Sequence, residues 1–182
     1  MKFTFVREDT VPKILAFIAE MLIAVCAVWL IAFLSTFLHE LGHALGYMLA
    51  AKDASWHIRV GWGKRLFASK ALTVNLAVFD GVFIPSENKL DTKAKQIAML
   101  AGGPAVSLLL VAGLSVLKFG GFSFESGILS DGVIEFFADI AFFANLFILL
   151  LSVFPGRYFY GQVKGMETDG LKILRALKKR GE

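Results

Sequence analysis

Apolar residues continue almost unbroken from Ile14 to Ala51, and long apolar runs recur over about 96–117 and 133–154. At 1.5 Å per residue each is long enough to cross the roughly 30 Å of a bilayer core, so the pattern predicts three transmembrane helices, over about 21–51, 96–117 and 133–154. The first run would measure about 57 Å as one helix. Its start, including Glu20, is therefore expected at the far interface or beyond it.

Between the first two runs the period changes. Leu72, Val74, Leu76 and Val78 alternate with Thr73, Asn75, Ala77 and Phe79, and Ile58 and Val60 alternate with His57 and Arg59. A period of two predicts a small β-hairpin or sheet at the membrane surface over about 56–84. Gly61, Gly63, Gly81 and Pro85 punctuate it, and Trp56 and Trp62 suit an interfacial belt. Such a hairpin offers an edge for an extended peptide, although a connector packed over the helices would read the same way. Near the end, Leu171, Leu174 and Leu177 lie among Lys172, Arg175, Lys178 and Lys179. This predicts a basic amphipathic helix over about 169–180, lying in the plane of an anionic lipid surface.

Composition places these elements in one class. The chain is 57% apolar and only 19% charged, which points to an integral membrane protein, mainly α-helical, and 182 residues leave room for a single transmembrane domain. Lys2, Arg7 and Lys13 precede the first run, but that run is too long for a cleavable signal and is expected to stay attached. The single Cys26 cannot form an intramolecular disulfide and reads as apolar filler. Eight basic residues between Lys52 and Lys95 and seven from Arg157 to Arg180 face four on the other side of the predicted spans. That bias places the 52–95 segment and the C-terminus in the cytoplasm and the N-terminus outside. The net charge of +4 suits a lipid surface, and no nucleic-acid motif is present.

The chemistry sits inside the first run. His39-Glu40-Leu41-Gly42-His43 puts two imidazoles four residues apart on one helix face, where they can hold one Zn²⁺ while Glu40 reaches the attacking water. Three ionisable groups in a lipid-spanning helix are costly without a partner, and a metal is the simplest one. Counted back from Lys52, the motif would lie about 14 to 20 Å from the cytoplasmic boundary. A catalytic zinc usually takes three protein ligands. Leu49 stands where a metzincin has histidine, and Glu87 falls in the surface connector. His57 falls among the strands. Asp139 on the third span and Asp169 near the C-terminus complete the candidates.

Three motifs in order, over about residues 25–176, resemble the site-2 protease family of intramembrane zinc metalloproteases. His39 to His43 resembles the family's HExGH helix. Gly103-Pro104-Ala105-Val106-Ser107 resembles its GPxxN signature. Pro155, followed by Asp169-Gly170-Leu171-Lys172-Ile173-Leu174, resembles the Pro turn and DGxxIL segment that brings in an aspartate ligand. The strands after Trp56 resemble the family's membrane-associated strands. The sequence departs from the pattern at Ser107 and Ser152, where the family has asparagines regarded as positioning substrate or stabilising an oxyanion. It also departs in the thirteen residues between Pro155 and Asp169, where the family has only a few.

The resemblance implies zinc on His39, His43 and Asp169, with Glu40 as general base and acid in hydrolysing a transmembrane or membrane-associated peptide. The implied location is a bacterial plasma membrane. The competing expectation is a non-proteolytic membrane protein that binds or transports metal, or that escorts membrane peptides.

Overall fold

The computed structural model describes residues 10–86, 89–120 and 131–178. These residues are mainly helical, with three helices long and apolar enough to cross a membrane and one two-stranded antiparallel sheet.

Helix α1 runs without interruption over Thr10–Ala51, about 63 Å at the standard rise. Pro12 lies in its first turn, where a missing amide proton costs no helical hydrogen bond. From Val11 to Ile23 every residue is exposed, and the first buried residue is Ser35. The helix therefore overshoots its own bundle, as the length of the apolar run predicts. Helix α2 (Lys93–Phe119) is capped by Thr92, whose hydroxyl accepts from the Lys95 amide at 3.3 Å. Helix α3 covers Asp131–Val153 and ends just before Pro155.

Small residues set the crossing of α1 and α2. A methyl group added at Gly42 would stand 2.4 Å from the Gly102 carbonyl oxygen, and one at Gly46 would stand 2.5 Å from that of Ala98. Main chain meets main chain here, the geometry that small residues at four-residue spacing permit. The Lys118–Asp139 ion pair joins α2 to α3. Most of the turn predicted around 120–131 lies outside the described residues.

Strands β1 (Trp56–Ala68) and β2 (Leu72–Pro85) match the predicted hairpin. Trp56 pairs with Pro85, Ile58 with Phe83 and Val60 with Gly81, while Ile58, Arg59 and Val60 also meet Leu72, Thr73 and Val74. Gly61 and Gly63 adopt φ of 77° and 85° where the strand bends away, a conformation open to glycine at little cost. The alternation is consequently broken: Val74 and Val78 are buried, but Leu76 of the same predicted face is exposed and Asn75 of the opposite face is buried. The register slips between Val60 and Arg65 are the physical reason.

The sheet lies along α1 instead of beyond its end. Ile58, Val60, Val74 and Val78 form a core with Ala44, packed against Trp29, Phe33, Phe37 and Leu41. Two side chains of α1 donate to strand carbonyls, Trp29 Nε1 to Leu76 at 2.7 Å and Thr36 Oγ1 to Val78 at 3.1 Å. Helix α4 (Asp169–Lys178) matches the predicted amphipathic helix, with residues 179 and 180 outside the described set. It packs against α2 and α3 and leaves Leu174 and Leu177 exposed.

Candidate metal centre

His39, Glu40 and His43 are all buried on one face of α1. Helix α2 orients both imidazoles from behind. His39 Nδ1 lies 2.9 Å from Ser107 Oγ, and His43 Nδ1 lies 2.9 Å from the Met99 carbonyl oxygen. With Nδ1 occupied, each ring presents Nε2 to the same point, the arrangement in which a second group fixes a ligand's tautomer. Gly103 makes room for them, since a methyl group there would stand 2.4 Å from His43 Nε2 and 2.8 Å from His39 Nε2.

The third group arrives from the far end of the chain. Asp169 opens α4, and its Oδ2 lies 3.5 Å from His39 Nε2 and 3.2 Å from His43 Nε2. Thr168 anchors this helix start, donating to the Phe154 carbonyl at 2.7 Å and accepting from the Gly156 amide at 3.1 Å. Gly170 lets α4 close onto α3, because a methyl group there would fall 1.9 Å from the Val153 carbonyl oxygen.

The three ligand atoms fit one small cation. Atoms bound about 2.05 Å from a tetrahedral ion stand about 3.3 Å apart. The observed separations are 3.3 Å between the two Nε2 atoms and 3.2 and 3.5 Å from these to Asp169 Oδ2. Two imidazole lone pairs and a carboxylate oxygen at such distances repel unless a proton or a cation lies among them. The His39-His43-Asp169 cluster could therefore hold a metal ion.

Glu40 is not part of that triangle. It lies where two cavities meet, one of about 120 Å³ lined by His43, Asp169 and Lys172, the other of about 40 Å³ lined by Thr36, Asp80 and Ser152. The larger has room for a few waters at about 30 Å³ each. Gly81 leaves space for Glu40, as a methyl group there would meet its Cγ at 2.6 Å. Lys172 stands at the cavity wall with Nζ 3.8 Å from Asp169 Oδ1.

The other sequence candidates lie elsewhere. Asp139 pairs with Lys118 and its side chain is 44% exposed. His57 bonds the Lys70 carbonyl and Thr73 Oγ1, both at 3.0 Å. Glu87 lies outside the described residues. Ser107 is engaged with His39, and Ser152 donates to the Leu149 carbonyl in its own helix at 3.0 Å, so both hydroxyls already have protein partners.

Two site residues escape sequence reasoning. Buried Asp80 accepts from the Gln162 amide at 2.8 Å and so ties the 155–168 segment over the cleft. Gly161, at φ 64°, lets the segment approach, since a methyl group there would stand 2.2 Å from Asp80 Oδ2. An acid inside the apolar Val78-Phe79-Asp80-Gly81 stretch was the available signal. Tyr158 lines both cavities, and burial, with the Asp169 and Glu40 charges adding, pushes its phenol well above the usual value. No family model, curated protein or solved structure matches the chain.

Proposed function

We propose that this chain is an intramembrane metalloprotease of the site-2 protease type, which hydrolyses peptide bonds of transmembrane or membrane-associated peptides. The carrying observation is the triangle of His39 Nε2, His43 Nε2 and Asp169 Oδ2 with Glu40 beside it in a cavity able to hold water. Two imidazoles and a carboxylate are a zinc donor set, with one position of a tetrahedron left for a reactant. When bound, the ion supplies an activated water and an electrophile.

Glu40 takes the proton of the attacking water and returns it to the leaving nitrogen. His39 and His43 keep their Nε2 atoms in place through Ser107 and Met99. Gly81, Val82, Phe83 and Pro85 line the same cavity, and among the described residues this strand segment pairs only with residues 56–60. Its other edge suits a substrate in extended form, as hydrolysis requires, because a helical amide is shielded by its own hydrogen bonds. Three long apolar helices support insertion in a bilayer, and the excess of basic residues in the 52–95 and C-terminal segments supports a cytoplasmic location for both.

The test is purified Glu40→Gln beside the unaltered protein, with metal content and cleavage of a transmembrane peptide in vesicles both measured. The variant should retain its ion and lose cleavage. Cleavage by the variant would remove the mechanism, and metal movement across vesicles without cleavage by either protein would replace it with transport.

A further inference from the structure

The two cavities share His39, Glu40, Gly81, Tyr158 and Val163. Apart from the ligand and the base, only Tyr158 among these carries a side-chain hydrogen-bond donor. Of the other hydroxyls around the cleft, Thr36 donates to Val78, Ser152 to Leu149 and Thr168 to Phe154, Ser107 is bonded to His39, and Tyr160 lines the smaller cavity but not the one lined by His43 and Asp169. Among the described residues no acceptor holds the Tyr158 hydroxyl, and Tyr158 lines the larger cavity together with Glu40 and Asp169.

Its main chain is fixed on both sides. The Tyr158 amide donates to Met166 at 3.0 Å, the Gly165 amide donates to the Tyr158 carbonyl at 2.8 Å, and Arg157 bridges to Glu167. Residues 157–167 therefore form a small hairpin that holds the phenol over the cleft, with Asp80 fastening its tip at Gln162. This hairpin is made of the additional residues between Pro155 and Asp169.

Amide hydrolysis places negative charge on the former carbonyl oxygen, and a preorganised donor aimed at that oxygen lowers the barrier. With both serines at the expected donor positions engaged, we infer that Tyr158 is a catalytic residue that donates a hydrogen bond to the substrate carbonyl oxygen as it becomes an oxyanion. The inference rests on the hydrolytic reading above. Water adds its oxygen to the carbonyl carbon, and Glu40 carries the released proton to the nitrogen as the C–N bond breaks. The second proton of the water then passes from the new carboxyl group to the amine, so a carboxylate and an ammonium leave, and the phenol keeps its proton throughout.

Tyr158→Phe keeps the ring and the main-chain pairing. In full-length protein assayed on one transmembrane peptide, kcat should fall about 100-fold or more, the usual effect of deleting such a donor. KM and metal content should stay unchanged. Affinity for a phosphinic peptide that mimics the tetrahedral state, measured by calorimetry, should fall by the same factor as kcat/KM, while affinity for the product peptide holds. A kcat within about threefold of the unaltered protein would overturn the assignment and leave hydrolysis standing. Loss of metal, or an equal loss of product affinity, would overturn it in favour of packing. Failure of the metal-loaded, unaltered protein to cleave would overturn the hydrolytic reading and the Tyr158 assignment together.

Discussion

His43 Nδ1 lies 2.9 Å from the main-chain carbonyl oxygen of Met99 on the neighbouring helix. A carbonyl only accepts, so this nitrogen carries the proton and Nε2 keeps its lone pair for a metal. His39 is held differently, by the Ser107 hydroxyl, which can donate or accept. One ligand is fixed by main chain, the other by a replaceable side chain.

Ser107→Ala should therefore weaken metal binding about 10- to 100-fold, the range for groups that orient metal-bound histidines. Competition with a chelator of known affinity measures this. An unchanged affinity would show that the His39 ring is oriented by its surroundings without the hydroxyl.

Asp169→Asn should abolish stoichiometric zinc, whereas Asp139→Ala should leave it intact. Asp139 serves only the half-exposed pair with Lys118, and exposed pairs contribute about 0–1 kcal/mol. Elemental analysis of the two purified variants checks the contrast, and the reverse result would transfer the ligand role to α3.

Two alanine substitutions in α2 should separate cleanly. Gly103→Ala drives a methyl group into both Nε2 atoms, while Gly113→Ala meets nothing within 4 Å. The first should lose metal and destabilise the fold by about 1–3 kcal/mol through overpacking. The second should retain both metal and thermal stability. Equal behaviour of the two would contradict the close approach of α2 to the histidines.

Asp80 should give the fold a pH signature. Burial pushes its carboxyl above the ordinary value of 3.8, and the hydrogen bonds from Gln162 and Val163 only partly reverse this. The folded chain then binds a proton that the unfolded chain has released, so the contribution is full below the ordinary value and is lost as pH rises through the elevated one. Relative to Asp80→Asn, the unaltered protein should therefore lose melting temperature as pH rises from about 4 towards neutrality. A difference independent of pH would exclude a titrating Asp80.

Local pattern carried the helices and the hairpin. The apolar lengths of α1, α2 and α3 and the alternation around Val74 and Val78 are properties of neighbouring residues, so they were readable in the chain. The faces of β2 were not, because Leu76 turns outward where the register slips against Arg65, an event decided between strands. His39, Glu40 and His43 were legible for the same local reason, being one turn apart. The residues alone left Asp139 and Asp169 open, since the choice depends on how α4 docks against α3 through Gly170 and Thr168. Asp80 and Tyr158 are joined to the site through the 155–168 segment, whose course depends on contacts such as Gln162 to Asp80, 82 residues apart.

Asp169 and His43 are separated by 126 positions yet reach one point. An ion at that point would act as a staple across more than two-thirds of the polypeptide. A covalent tie closing a comparable loop contributes about 5 kcal/mol on a chain-entropy argument, and coordination would offer a similar restraint in reversible form. Stripping the ion should therefore loosen the docking of α4, so that a protease added from that side clips the C-terminal segment sooner in chelator than in zinc.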